Sequence, residues 1–361
     1  PALDLSGATN ISYAWYVCSS LNNFGAIDAR NGTNFTSAWN GCTSLTSFPA
    51  DAKLGTSASN VNFTEAWRES GVTSFNTDLP TGTVFQKTWR QSALTSFGSI
   101  DLSSGTSFNS SWQLAASLSS FGAIDARNGT TFQEAWRDCS SLTDFSAGAK
   151  LGTAANNVNF TSAWQQSGLT SFSTPLPTGT NASSAWNGCS SLTSFSSELP
   201  LVTSAAGTWA NCTSLTSFSI DLPSATNVSS AFYGCSSLES FSSELPLGRY
   251  LGNAWRICTS LTDFSADVFA NWNPSSIYNG VFDGAWNGCT SLTAQSVENI
   301  LTSIDSSGKR ATTTGAFGGT ALADAGIDID YNGDPLSAAT NAAVTSLKSK
   351  GWSIIVNNVT L

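Results

Sequence analysis

The sequence predicts a repeat solenoid: a right-handed coil with one parallel β face and short helical turns, followed by a small α/β C-terminal cap. Three observations carry this. Aromatic residues recur at near-constant spacing from Trp15 to Trp286, a four-unit block recurs with its spacings intact, and the pattern stops near Ala294. Internal repetition of this kind decides a fold before local propensities do.

Trp15, Trp39, Trp67, Trp89, Trp112, Trp136, Trp164, Trp186, Trp209, Phe232, Trp255 and Trp286 head twelve similar units. Their spacings run 24, 28, 22 and 23, then the same four again, then 23, 23 and 31. A block of 97 residues has therefore been duplicated. The residues agree: Gly25–Thr33 (GAIDARNGT) returns identically at Gly122–Thr130, and Lys53–Thr56 (KLGT) at Lys150–Thr153. Phe35, Ala38, Trp39, Cys42, Leu45 and Phe48 exemplify one unit. Positions −4, −1, 0 and +3 relative to the aromatic match one helical face, on a segment too short to be helical alone. The Leu-Thr-Ser-Phe run that follows reads as a strand. It is bounded by pairs such as Leu79-Pro80, Leu199-Pro200 and Leu245-Pro246, because proline cannot donate to a ladder. A turn plus a strand cannot bury its own apolar face, whereas stacked units share one core.

The run Ala185-Trp186-Asn187-Gly188-Cys189-Ser190-Ser191-Leu192-Thr193-Ser194-Phe195 resembles the treponemal, or BspA-like, class of leucine-rich repeat, with its pattern A-[FW]-x-x-C-x-S-L-x-x-[FI]. The likeness covers about residues 5–295. One departure is consistent: the usual Phe is Trp in eleven of the twelve units, which alters core volume and not the fold. The resemblance implies a leucine-rich-repeat solenoid and exported or surface-displayed adhesion proteins of bacteria, some protozoa and their viruses. It implies no single ligand.

Residues 1–294 are assigned to the solenoid and 295–361 to the cap. In the latter, Ser296–Ile304 reads as a short helix, Ile327–Tyr331 as a strand, Leu336–Lys350 as a helix stopped by Gly351, and Trp352–Val356 as a final strand. An open solenoid end exposes apolar surface and strand edges, so a distinct terminal structure is expected there.

Only 11% of residues are charged, against about 25% in a typical domain, so the surface is neutral and polar. The formal net charge of −10 argues against nucleic acid or an anionic membrane as partner. Histidine and methionine are absent. Without histidine, Ser-His-Asp and Cys-His nucleophile activation and His-ligated zinc are excluded. No apolar run is long enough to span a membrane. The chain opens PALDLSG, with neither an initiator Met nor a basic segment before an apolar run. It reads as a processed protein or a piece of a longer one, whose export signal or anchor lies elsewhere.

Each of the eight cysteines lies three residues after its unit's aromatic. Cys139 has Ala115 and Ser167 at the equivalent positions of its neighbours, which opposes nearest-neighbour disulfides and favours a ladder of small buried residues. The Trp column reads as core. Trp272 differs, lying outside the repeat phase in the largest insertion, beside Asn271, Asn273 and Tyr278. An aromatic face flanked by amides suits a ligand, while packing of the loop onto its own coil is the favoured reading. Between inward Leu and Phe, the strands carry pairs including Thr143-Asp144, Thr193-Ser194, Thr216-Ser217 and Thr262-Asp263. Stacked, these form rows of hydroxyls with a few carboxylates, either a binding face or a solvated one of favourable Thr propensity.

Glu65/Glu69 and Glu134/Asp138 have the spacing of an acid–base pair, but each pair flanks a core Trp beside Arg68 or Arg137, so a charge-balanced solvated face is expected. Asp328-x-Asp330-x-Asn332-Gly333 matches half of an EF-hand loop, with Ala339 where the twelfth-position Glu belongs. A strand ending in a tight turn is favoured there, with weak calcium binding as the alternative. No catalytic residue and no cofactor is assigned. The expected function is surface adhesion on a cell or virion, as in a phage tail fibre, through host- or cell-surface polysaccharide or protein. Self-association or packing against other virion or surface proteins would instead make the chain a spacer or filament subunit. Ordering of ice or another surface by the Thr rows is the third reading.

Overall fold

Around each repeat aromatic, the backbone sends every second amide out of its own coil. In the coil of Trp39, the amides of Phe35, Ser37, Trp39 and Gly41 donate to the carbonyls of Asn62, Thr64, Ala66 and Arg68 at 2.8–2.9 Å. The intervening Ala38, Asn40 and Cys42 amides donate three residues back, to Phe35, Ser37 and Trp39, at 3.1–3.3 Å. This alternation requires left-handed residues two before and two after the aromatic, here Ser37 (φ 52°) and Gly41 (φ 74°). Asparagine starts the ribbon: the Asn34 and Asn62 side-chain carbonyls accept from the Thr36 and Thr64 amides at 3.0 and 2.9 Å, as Asx turns do.

The segment is thus a ribbon of turns and not the helical turn the spacing implies. The physical reason is hydrogen-bond supply. A two-turn helix keeps its amides to itself, whereas the ribbon leaves half of them for the next coil. The same side chains face inward in either geometry, and Phe35, Ala38, Trp39 and Cys42 are all fully buried.

The computed structural model describes residues 3–277, 280–311, 326–331, 336–357 and 359–361. It comprises two compact units, Pro1–Gly179 and Thr180–Leu361, each built on a parallel β-solenoid. In the first, three ladders run along the coils where sequence suggested one. Ser74–Phe75, Ser96–Phe97 and Ser120–Phe121 pair in parallel and in register. Ile27–Ala29 pairs with Lys53–Leu54, and Asp125–Ala126 with Lys150–Leu151. Val61–Asn62 pairs with Gly82–Val84, and single bridges carry that ladder on through Ser107 and Thr131 to Asn159.

The core of this unit is three aromatic columns. Trp39, Trp67, Trp89, Trp112 and Trp136 stack at 5.1–5.8 Å with interplanar angles of 3–8°. Phe75, Phe97, Phe121 and Phe145 form a second column at 5.1–5.8 Å, edge-on to the indoles. Phe35, Phe63, Phe85, Phe108 and Phe132 form the third. Offset-stacked and edge-to-face pairs each add about 0.5–1.5 kcal/mol beyond burial, and every coil adds several.

The second unit pairs Ser217–Phe218, Ser240–Phe241 and Asp263–Phe264 in parallel register, and buried Ala182, Ala205, Val228 and Leu251 take the place of the third Phe column. From Thr293 the backbone changes. Helix α1 (Ala294–Ser306) is N-capped by Thr293, and α2 (Ala338–Ser349) by Ser337. Gly326–Ile329 and Ser353–Val356 pair in parallel, and Val359–Thr360 adds an antiparallel edge. Lys350 donates to the Asp305 carbonyl and carboxylate at the end of α1, at 2.7 and 2.6 Å. Strand Gly326–Ile329 also bridges to the last repeat at Trp286↔Ile329.

Candidate binding surfaces

The strand face is exposed and polar. Thr143, Asp144, Thr193, Thr216, Thr262 and Asp263 all point to solvent, while the Leu and Phe on either side are buried. The rows are ordered from below. Thr73 and Thr95 donate their hydroxyl protons to the carbonyls of Thr46 and Thr73 at 3.1 Å, and Thr170 does the same to Thr143. In the second unit Thr262 donates to the Glu239 carbonyl at 3.1 Å and Thr293 to that of Thr262 at 3.2 Å. Each such proton is directed into the coil stack, so a methyl group and the hydroxyl lone pairs face outward.

A second Thr row went unrecognised in the sequence. Six residues before the repeat aromatic, Thr106, Thr130 and Thr226 donate to the carbonyls of Thr83, Thr106 and Thr203 at 3.0–3.2 Å. The signal was present, since Thr83, Thr106, Thr130, Thr180, Thr203 and Thr226 are in phase, with Val158 and Arg249 interrupting that column.

Trp272 does not offer a stacking platform. The ring is 1% exposed, packs on Phe269, Phe282 and Trp352 at 5.3–6.3 Å, and donates its indole N–H to the Gly248 carbonyl at 2.7 Å. A short 3-10 turn, Ala266–Phe269, leads the chain inward, and the Asn273 amide on the Pro246 carbonyl at 2.7 Å ties the loop down. Burying an indole with its donor satisfied is more favourable than leaving it in water, so the loop packs onto its own coil. Asn271 and Asn273 remain exposed; Tyr278 lies outside the described residues.

The paired acids are bound to arginine. Arg68 contacts Glu65 at 3.4 Å and Glu69 at 2.8 Å, and Arg137 contacts Glu134 at 3.2 Å and Asp138 at 3.3 Å. Asp330 accepts from the Gly288 amide at 2.8 Å, closing an open backbone donor at the last ribbon. Burial first, and then the neighbouring Asp330 charge, push the Asp328 carboxyl above its ordinary range. Asn332 lies outside the described residues. Among the described residues, no group of three or more acids or cysteines is placed to hold a metal ion, and no helix is long and apolar enough to cross a membrane.

Seven of the cysteines are buried and Cys18 is exposed, and none is joined in a disulfide. The Cys139, Cys212, Cys235 and Cys289 Sγ atoms lie 3.0–3.2 Å from the carbonyl of the preceding coil's Trp. Burial pushes the thiols of Cys42 and Cys235 up to about 11 and about 12, which leaves them protonated and unreactive.

No curated protein matches the chain. The solenoid is similar to that of a leucine-rich repeat protein from Bacteroides ovatus, at 18% identity over 81% of this chain and 78% of that one, with a TM-score of 0.51. A leucine rich cell surface protein from Faecalibacterium prausnitzii is 17% identical over 73% of this chain and 77% of that one, with a TM-score of 0.35. The first likeness concerns the fold alone. The model of the BspA type leucine rich repeat region matches in six copies, over residues 160–283 and 207–308. Over those residues the chain is similar to the BspA type leucine rich repeat region, in keeping with its in-phase ribbons and stacked columns.

Proposed function

We propose that this protein is a non-enzymatic adhesion molecule displayed on a cell surface or a virion appendage such as a tail fibre, and that it recognises surface polysaccharide or protein across its strand face. The observation supporting this reading is the Thr row, whose hydroxyl protons are already committed to the neighbouring coil's carbonyls at 3.1–3.2 Å. Such side chains have lost their rotamer freedom before a ligand arrives, so little ordering entropy remains to oppose binding. Each contact is weak, and repetition along the coils makes the sum specific through avidity.

The test is whole-cell and glycan-array binding with Thr73, Thr95, Thr143 and Thr170 replaced together by Val, which keeps the methyl and the shape. Binding is expected to fall at least tenfold while the denaturation midpoint moves little. Unchanged binding would remove the strand face as the recognition surface.

A further inference from the structure

The insertion that buries Trp272 also builds a cleft of about 400 Å³ on its outer side, lined by Thr226, Leu247, Arg249, Asn273, Ser275 and Lys309 around Pro274. That volume falls within the range of about 300–1,000 Å³ that holds small ligands. Its chemistry departs from the rest of the molecule. The chain has 24 acidic and 14 basic residues, yet two cations converge on this cleft and, among the described residues, no carboxylate lines it. Both cations are positioned. Lys309 donates to the Pro274 carbonyl at 3.2 Å, and its own carbonyl accepts the Trp352 indole N–H at 3.1 Å. Arg249 donates to the Ser276 hydroxyl, and its guanidinium lies 5.9 Å from the centre of the Tyr250 ring.

Arg249 occupies the column position held by Thr in the coils before it, and its amide makes the same contact, to the Thr226 carbonyl at 2.8 Å. The scaffold is therefore unchanged where the charge is introduced. Leu247 and Tyr250 are large and exposed, giving apolar surface on which a sugar ring can lie. A second cleft of about 340 Å³, lined by Asn227, Ser229, Tyr250 and Asn253, draws on the same coils and provides amides and hydroxyls.

We infer that this cleft binds an anionic saccharide, with Arg249 and Lys309 holding the charged substituent and Asn273, Ser275 and Thr226 reading ring hydroxyls. Arginine offers a planar fork matched to carboxylate or sulfate oxygens, and lysine adds a point charge. This deepens the adhesion reading by naming a ligand class, and it uses a surface distinct from the strand-face Thr row.

The experiment is calorimetric titration of the full chain with a uronic-acid oligosaccharide, a sulfated oligosaccharide, a neutral oligosaccharide of equal length and sodium sulfate. The same titrations are run on the Arg249→Gln/Lys309→Gln double variant, with its denaturation midpoint measured alongside. At least one anionic oligosaccharide is expected to bind at least tenfold more tightly than the neutral one, with that preference abolished in the double variant and the midpoint unchanged. The uronic and sulfated arms decide which anionic group is preferred. Equal binding of neutral and anionic chains, sodium sulfate binding as tightly as the oligosaccharides, or a preference that survives the double substitution would each overturn the inference. Cell adhesion that persists in the double variant, while the wild type binds no anionic oligosaccharide, would remove the cleft and leave the strand-face reading standing. The Val variants of the Thr row serve as the converse control, expected to leave anionic binding intact.

Discussion

Trp112 and Trp272 are equally buried, at 0% and 1% exposed, but the fold treats their indoles differently. Trp112 stacks between Trp89 and Trp136 at 5.2 and 5.1 Å, and its N–H has no hydrogen-bond partner. Trp272 stacks with no member of the column, meets its neighbours at tilted or edge-on angles and donates to the Gly248 carbonyl. In the column, ring orientation is set by the coil repeat, and nearby carbonyls are already engaged: that of Trp112 accepts from the Ala115 amide and the Cys139 thiol. In the insertion no periodicity constrains the ring, so it turns until its donor is satisfied. Repetition therefore favours stacking at the expense of a buried orphan donor, which costs roughly 1–3 kcal/mol.

The largest effect follows from column area. Trp112→Ala is expected to lower stability by about 3–5 kcal/mol, read as a fall in the urea midpoint of unfolding. Trp272→Phe comes next, at about 2–4 kcal/mol, because lost volume combines with an unsatisfied buried carbonyl at Gly248. Trp112→Phe is expected to cost only about 1 kcal/mol, since removing the orphan donor offsets part of the lost volume. Phe232 already occupies the column in this way, stacked on Trp209 at 5.0 Å and 8°. A Trp112→Phe cost equal to or above that of Trp272→Phe would break the comparison.

Thiol accessibility sharpens the contrast between ladder and edge. Native protein titrated with a chromogenic disulfide reagent is expected to release one equivalent promptly, from Cys18, and the other seven only on unfolding. Prompt reaction of a second thiol would show that the column opens on the timescale of the assay.

Most of the solenoid was legible in the sequence because one constraint, burial of residues at fixed phase, acts in every coil and is sampled twelve times. Phe35, Ala38, Trp39 and Cys42 point inward as their spacing requires. The ribbon itself was not legible, because helix and ribbon bury the same positions and differ only in where the amides go. The left-handed residues gave little warning, being Glu65, Lys87, Ser110 and Leu114 as readily as glycine. The inter-coil ladder stabilises conformations that these side chains disfavour by roughly 1–2 kcal/mol each. The sequence left Trp272 between a ligand platform and packing onto its own coil, because a single unrepeated aromatic carries no phase information. Arg249 and Lys309 lie 60 positions apart in sequence, and no local pattern joins them.

The duplicated block allows a smaller test of how far identical sequence repeats its physics. Asp28 pairs with Arg30, whose Nε lies 2.9 Å from Oδ1, and with Lys53 at 4.0 Å. Ninety-seven residues later, Asp125 pairs with Arg127 at the same 2.9 Å and with Lys150 at 3.8 Å. Hydrogen bonding from Arg30 lowers the Asp28 carboxyl from 3.8 to about 2, and Arg127 lowers that of Asp125. A depressed folded-state value means the contribution is fully present above the unfolded value near 3.8 and is lost as pH falls toward 2. Both aspartates are solvent-accessible enough that salt screens the pairs, so the effect on stability is small and best read directly. Carboxyl NMR titration should place Asp28 and Asp125 both below the ordinary range at low salt. Arg30→Gln should return Asp28 upward and leave Asp125 where it was. Movement of both carboxyls in that variant would mean that the two copies of the block are electrostatically coupled and do not act as independent repeats.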